Sequence, residues 1–172
     1  MGRFSLSSPS MAKGTEPRMT NSLSKDEASH VALKAFRARH PGVSSTGRLV
    51  AGPPARVERL DRPGAYLLVP IRDAVGLRGI VQLDAQGLCV ESSAAIRDST
   101  TLFLASEDAV LAAVRTALPN RLGWRKPFLA WQPCHESFDS MRPLWVVPHT
   151  DGQVYVTQSC EVFEVLTAGR GG

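Results

Sequence analysis

The chain has little of several things that would place it quickly. Among its 172 residues there are only three cysteines, three tryptophans and two tyrosines. Cys89, Cys134 and Cys160 form an odd set with no C-x-x-C pair. The disulfide framework of a small secreted domain is therefore not expected, and a reducing cytoplasm is the expected compartment. No apolar run approaches the ~20 residues that span a bilayer, and the opening stretch MGRFSLSSPSMAKGTEPRMT lacks the apolar core of a signal peptide. Neither secretion nor contact with a membrane is expected. The sequence also has no G-x-x-x-x-G-K, G-x-G-x-x-G or G-x-S-x-G segment, so Gly-rich phosphate cradles and nucleophile elbows are excluded and no cofactor is expected.

Charge of one sign is scarce too. The formal net charge is +4, from 20 Lys plus Arg against 16 Asp plus Glu. Arg3, Lys13 and Arg18 against Glu16 place half of that excess in the first twenty residues. The remainder is close to balanced, whereas a nucleic-acid reader concentrates cations on one face. Nucleic acid is accordingly not the expected partner. With 43% hydrophobic and 21% charged residues, the body of the chain has the composition of a globular protein.

Residues 1–22, rich in Ser, Gly, Pro and Met without periodicity, are expected to be a disordered leader, and 168–172 a flexible tail. Between them the pattern runs twice. Ser24-Lys25-Asp26-Glu27 is an S-x-x-E capping box, followed by Ala28, Val31, Ala32, Ala35 and Phe36 at helical spacing. His40-Pro41-Gly42 stops that helix. Strands are expected at 48–51, 56–60, 65–71, 77–83 and 88–92, with Leu77, Gly79, Val81 and Leu83 on one face. Tyr66-Leu67-Leu68-Val69 is a nearly continuous apolar run, as in a strand buried on both sides. A second helix starts at Ser106, with Val110, Ala113, Val114, Ala117 and Leu118 as its apolar stripe, and strands return at 128–131, 144–147, 154–157 and 160–165. Thr150-Asp151-Gly152 reads as a hairpin turn.

The expected architecture is thus α+β, with two repeats of one helix followed by a roughly four-stranded antiparallel sheet, at 23–98 and 99–167. The stretch Tyr66–Pro70 and the run from Gly79 through Leu83, Asp84, Gly87 and Val90 resemble cystatin-like folds, and within them the PepSY-type domains. That resemblance implies a sheet wrapped on a helix and a role in binding other proteins. The Q-x-V-x-G loop by which cystatins inhibit papain-like peptidases is not matched by Gln82-Leu83-Asp84-Ala85-Gln86.

For chemistry, Cys134-His135-Glu136 is the most reactive-looking cluster, a thiol beside a base. Neighbours on an extended chain point to opposite faces, so His149 is an alternative partner for Cys134. Cys134, His135, His149 and Cys160 are ligand types that suit zinc, but their spacing matches no short knuckle and no metal is expected. Asp26/Glu27 and Glu107/Asp108 are explained by the first turns of helices. The segment from Arg121 to Trp131 mixes three cations with two Trp and one Phe, types enriched in binding hot spots and able to stack on nucleobases. Arg121, Trp124, Arg125 and Lys126 are the expected partner-binding residues, with Trp124 in an exposed loop and Trp145 in the core. The expected function is a non-enzymatic protein-binding module: a bacterial inhibitor, immunity or accessory protein docking on a peptidase or toxin. The alternatives are a cysteine-dependent enzyme using Cys134, and nucleic-acid binding through 121–131.

Overall fold

The computed structural model describes residues 23–44, 47–97 and 102–169. The expected leader over 1–22 and the end of the expected tail, 170–172, lie outside the described residues. Two capped helices start the two halves. Helix α1 (Lys25–Arg39) is preceded by Ser24, whose Oγ accepts from the Glu27 N–H while the Glu27 carboxylate accepts from the Ser24 N–H at 2.9 Å. These hydrogen bonds hold the Glu27 carboxyl below its ordinary range. Helix α3 (Glu107–Ala117) is capped by Ser106, which accepts from the Ala109 N–H at 3.2 Å. A single turn, α2 (Pro41–Ser44), follows α1.

The strands are β1 (Val50–Ala51), β2 (Ala55–Arg59), β3 (Ala65–Arg72), β4 (Leu77–Leu83), β5 (Cys89–Arg97), β6 (Phe128–Trp131), β7 (Leu144–His149), β8 (Gly152–Val156) and β9 (Val162–Phe163). They form one sheet in the order β5-β4-β3-β2-β6-β7-β8-β9, with β1 added beside β3. Every pairing is antiparallel except β2 with β6, which is parallel and joins the two halves. At that seam Glu58 lies beside Ala130 and Arg59 beside Trp131. The Leu60 N–H donates to the Trp131 carbonyl at 3.0 Å, and the Arg59 guanidinium sits 5.1 Å above the Trp131 ring.

The helices occupy opposite faces of this sheet. Side chains alternate along a strand, and the two core clusters follow that alternation. Val69 and Ile71 of β3 pack with Val81 and Leu83 of β4 under Ala28, Ala32 and Phe36 of α1. Tyr66 and Leu68 of the same strand point the other way, into a core shared with Val57, Leu129, Trp145, Val147, Val154 and Val156 under Val110 and Val114 of α3. A strand covered on both faces has no polar side to keep, which accounts for the continuous apolar run at 66–69.

The α+β class and the mostly antiparallel sheet are as expected. The two-repeat arrangement is corrected: five strands follow α1 and four follow α3, the last only two residues long, and all nine belong to one sheet rather than two. The shared face at 77–83 is corrected as well. A register shift between Leu77 and Gly79 turns Leu77 onto the α3 side, while Val81 and Leu83 stay on the α1 side. Such a bulge adds one residue and reverses the alternation beyond it.

The β3–β4 turn is clamped by one carboxylate. Asp73 Oδ1 accepts from the Val75 and Gly76 N–H groups at 2.8 and 3.0 Å, and Oδ2 accepts from Arg78 Nε at 2.5 Å. The Arg78 hydrogen bond, before the backbone ones, pulls the Asp73 carboxyl from its ordinary 3.8 to about 2. A carboxyl with a depressed folded-state pKa adds stability above its unfolded pKa and loses it as pH falls through the folded value. Asp73→Asn should therefore flatten the loss of stability between pH 4 and 2, read from urea unfolding curves across that window. An unchanged slope there would rule the clamp out.

Candidate functional site

The expected contact residues do not make one exposed surface. In the link between α3 and β6, Arg121 Nη2 donates to the Glu164 carboxylate at 2.5 Å and Nη1 lies 3.1 Å from His149 Nε2. Trp124 stands edge-on to the same imidazole, 5.2 Å between centroids, and packs against the α3-side core. The expectation of an exposed Trp124 is corrected: it is half-buried. Gly123 has φ +74°, and a Cβ there would overlap Thr150, so the chain turns tightly against the β7–β8 hairpin. The Arg125 N–H donates to the Pro148 carbonyl at 2.9 Å. Lys126 Nζ lies 3.8 Å from Glu107 Oε1, and both the Arg125 and Lys126 side chains are exposed. Arg121 and Trp124 are brought together as a brace around His149, whereas Arg125 and Lys126 face solvent.

The Cys134 cluster is also structural. Cys134 is buried, bridges Ser137 and Ala168 through its backbone, and has Sγ 3.9 Å from the Ser137 carbonyl. Burial pushes its thiol pKa up, the opposite of an activated nucleophile. His135 is exposed and stands edge-on to Phe138 at 5.7 Å. Burial raises the Glu136 carboxyl, but the hydrogen bonds it accepts from Thr167 outweigh this and leave it below its ordinary range. His149 is occupied elsewhere: Nδ1 accepts from the Asp151 N–H at 3.2 Å and Nε2 faces Arg121. Among the described residues no group of three or more His, Cys, Asp or Glu could hold a metal ion. Iodoacetamide applied to the folded protein should alkylate Cys134 more slowly than the half-buried Cys89 and Cys160. Cys134 reacting first, by peptide mass mapping, would contradict this assignment.

A cleft lies elsewhere. It has a volume of about 640 Å³ and opens between the approach to α3 at 102–104, the long β6–β7 loop at 136–142 and the β8–β9 turn at 157–161. Its size is within the range of specific binding sites. Its lining includes the buried Met141 and Leu144 and the neutral polar residues Thr157, Gln158 and Ser159. Leu104 and Phe138 also line it, yet they are 69% and 77% exposed.

The loop that carries Phe138 is anchored by polar side chains. Tyr66 Oη donates to the Ser140 carbonyl at 2.5 Å, and Ser140 Oγ donates to Oε1 of the buried Gln82 at 2.7 Å. Burial raises the pKa of the Tyr66 hydroxyl, which keeps it a donor. Asp139 Oδ1 accepts from the Met141 N–H at 2.8 Å, Ser137 Oγ donates to the Arg142 carbonyl at 2.7 Å, and Gln158 Nε2 donates to the Pro143 carbonyl at 2.7 Å. Two of these anchors, Tyr66 and Gln82, sit on β3 and β4 in the other half of the chain. The signal in the sequence was Phe138 itself, a lone aromatic inside the polar run Glu-Ser-Phe-Asp-Ser. It carries no periodicity, so pattern reading passes over it.

No protein-family model, no curated protein and no solved structure matches the chain. No helix of the described residues is long and apolar enough to cross a membrane.

Proposed function

We propose that the chain is a non-enzymatic protein-binding module whose docking surface is the cleft rimmed by Leu104 and Phe138. The observation that carries this reading is that two of the large apolar side chains left exposed, Leu104 and Phe138 at 69% and 77%, line the same cleft. Isolated apolar residues on a surface need no explanation, but these two line one cleft from separate chain segments. A polypeptide laid across the cleft covers both side chains at once. The hydrogen bonds anchoring the 136–142 loop support the same reading, because a loop fixed in advance costs less to order on binding.

The cleft replaces 121–126 as the principal contact surface, with Arg125 and Lys126 left as peripheral cations. The resemblance to cystatin-like domains favours a binding role by analogy. Under this reading the chain acts sterically, as an inhibitor, immunity or accessory protein that covers part of a peptidase or toxin.

Full burial of a Leu or Phe side chain is worth about 1.5–3 kcal/mol each. The double variant Leu104→Ser/Phe138→Ser should therefore weaken partner binding by about 100-fold or more. Its melting temperature should stay near that of the parent, since neither side chain is in the core. Unchanged affinity for the partner purified with the parent chain would sink the reading.

A further inference from the structure

We infer that the polypeptide received by this cleft is cationic, an extended segment in which Arg or Lys flanks an apolar side chain. The inference rests on the docking reading above and adds the chemistry of the partner. Among the charged residues lining the cleft are three carboxylates, Glu136, Asp139 and Glu161, and one cation, Arg142. Two of the carboxylates, Glu136 and Asp139, flank Phe138 in the loop. Glu136 is oriented by the Thr167 N–H, and Asp139 by the Met141 N–H. Both carboxylates are thus fixed rather than free to swing away.

The chemistry favours one sign. A segment carrying Asp or Glu would meet three like charges against the one counter-ion Arg142, and like-charge juxtaposition across an interface disfavours the wrong partner. A basic segment meets the same three as counter-ions, while its apolar side chain reaches Leu104 and Phe138. A small amine would satisfy the carboxylates but leave the two lips exposed. The lining from Thr157 to Ser159 is neutral and adds no charge to the cleft.

The test uses the whole chain and three short peptides of one pattern, alternating Leu and Phe with arginine, with glutamine or with glutamate. Each is titrated into the 15N-labelled protein and followed by amide shifts and by affinity. The arginine peptide should shift amides at 102–104, 136–142 and 157–161 and bind at least tenfold more tightly than the glutamate peptide. Its affinity should fall with added salt, since exposed charges are screened within about 10 Å at 0.1 M. In Glu136→Gln/Asp139→Asn/Glu161→Gln, whose amides can keep the loop hydrogen bonds, the preference for arginine should vanish while the glutamine peptide binds as before. Equal binding of all three peptides at the cleft would overturn the charge assignment and leave the docking reading standing. Shifts confined to other regions with every peptide would overturn the docking reading, and this inference with it.

Discussion

Gly79→Ala should destabilise the protein by about 3 kcal/mol, a drop of roughly 6–12 °C in melting temperature for a chain of this size. Gly79 lies on the face of β4 that meets α1. A Cβ built there would overlap the ring of Phe36 and come within 2.6 Å of the Ser93 carbonyl on β5. Neither neighbour can withdraw. Phe36 is fully buried between helix and sheet, and Ser93 belongs to the strand paired with β4. Glycine is thus required by close approach, not by backbone angle. Removing the ring from the other side, Phe36→Ala, should cost about 3–5 kcal/mol through the cavity it leaves. In the double variant the new methyl group occupies part of that cavity, so the two losses should sum to less than their separate values, by about 1 kcal/mol or more. Urea denaturation of the four proteins measures this coupling. Strict additivity would mean that Phe36 and Gly79 are not in contact.

The second large effect is at Trp145, on the opposite face. Its side chain is buried at the centre of the α3-side core, edge-on to Phe103 at 6.1 Å. Trp145→Ala should cost about 3–5 kcal/mol. Trp145→Phe should cost far less, under about 1 kcal/mol. The indole Nε1 is buried with no hydrogen-bond partner among the described residues, and phenylalanine removes that unsatisfied donor while keeping an aromatic ring. The contrast between the two variants, read from chemical denaturation, separates ring packing from the polar group. A Phe variant as unstable as the Ala variant would contradict this account, because it would mean that an aromatic ring without the N–H recovers none of the loss.

These two sites show what was readable in the sequence and what was not. The capping residues Ser24 and Ser106 mark their helices because an N-cap is a local device, complete within four residues. The run at 66–69 announces a strand buried on both faces, and Ala28, Ala32 and Phe36 announce the buried side of α1. The parallel seam between β2 and β6 has no such signature. Glu58 meets Ala130 from 72 positions away in the sequence, and nothing local in either strand specifies the partner. The single sheet that results is why two separate helix-plus-sheet repeats were expected but not found. The bulge at 77–79 is equally silent, because strict alternation over 77–83 is the simplest pattern to read.

The site divides in the same way. Arg121 and Trp124 stand out by residue type, yet type does not say whether a cation or an indole is spent on its own fold, as these are on His149 and Glu164. The cleft depends on hydrogen bonds from Tyr66 and Gln82 to Ser140, which cross from one half of the chain to the other. Phe138 becomes conspicuous only once those contacts hold its loop outward.

Hydrogen–deuterium exchange of the chain alone and in complex with its purified partner tests the central claim most directly. Protection on binding should appear at 102–104, 136–142 and 157–161, with little change at 121–124, where Arg121 and Trp124 are already braced in the free protein. Protection centred on 121–126 with the cleft unchanged would contradict the account and return the docking surface to the basic–aromatic loop.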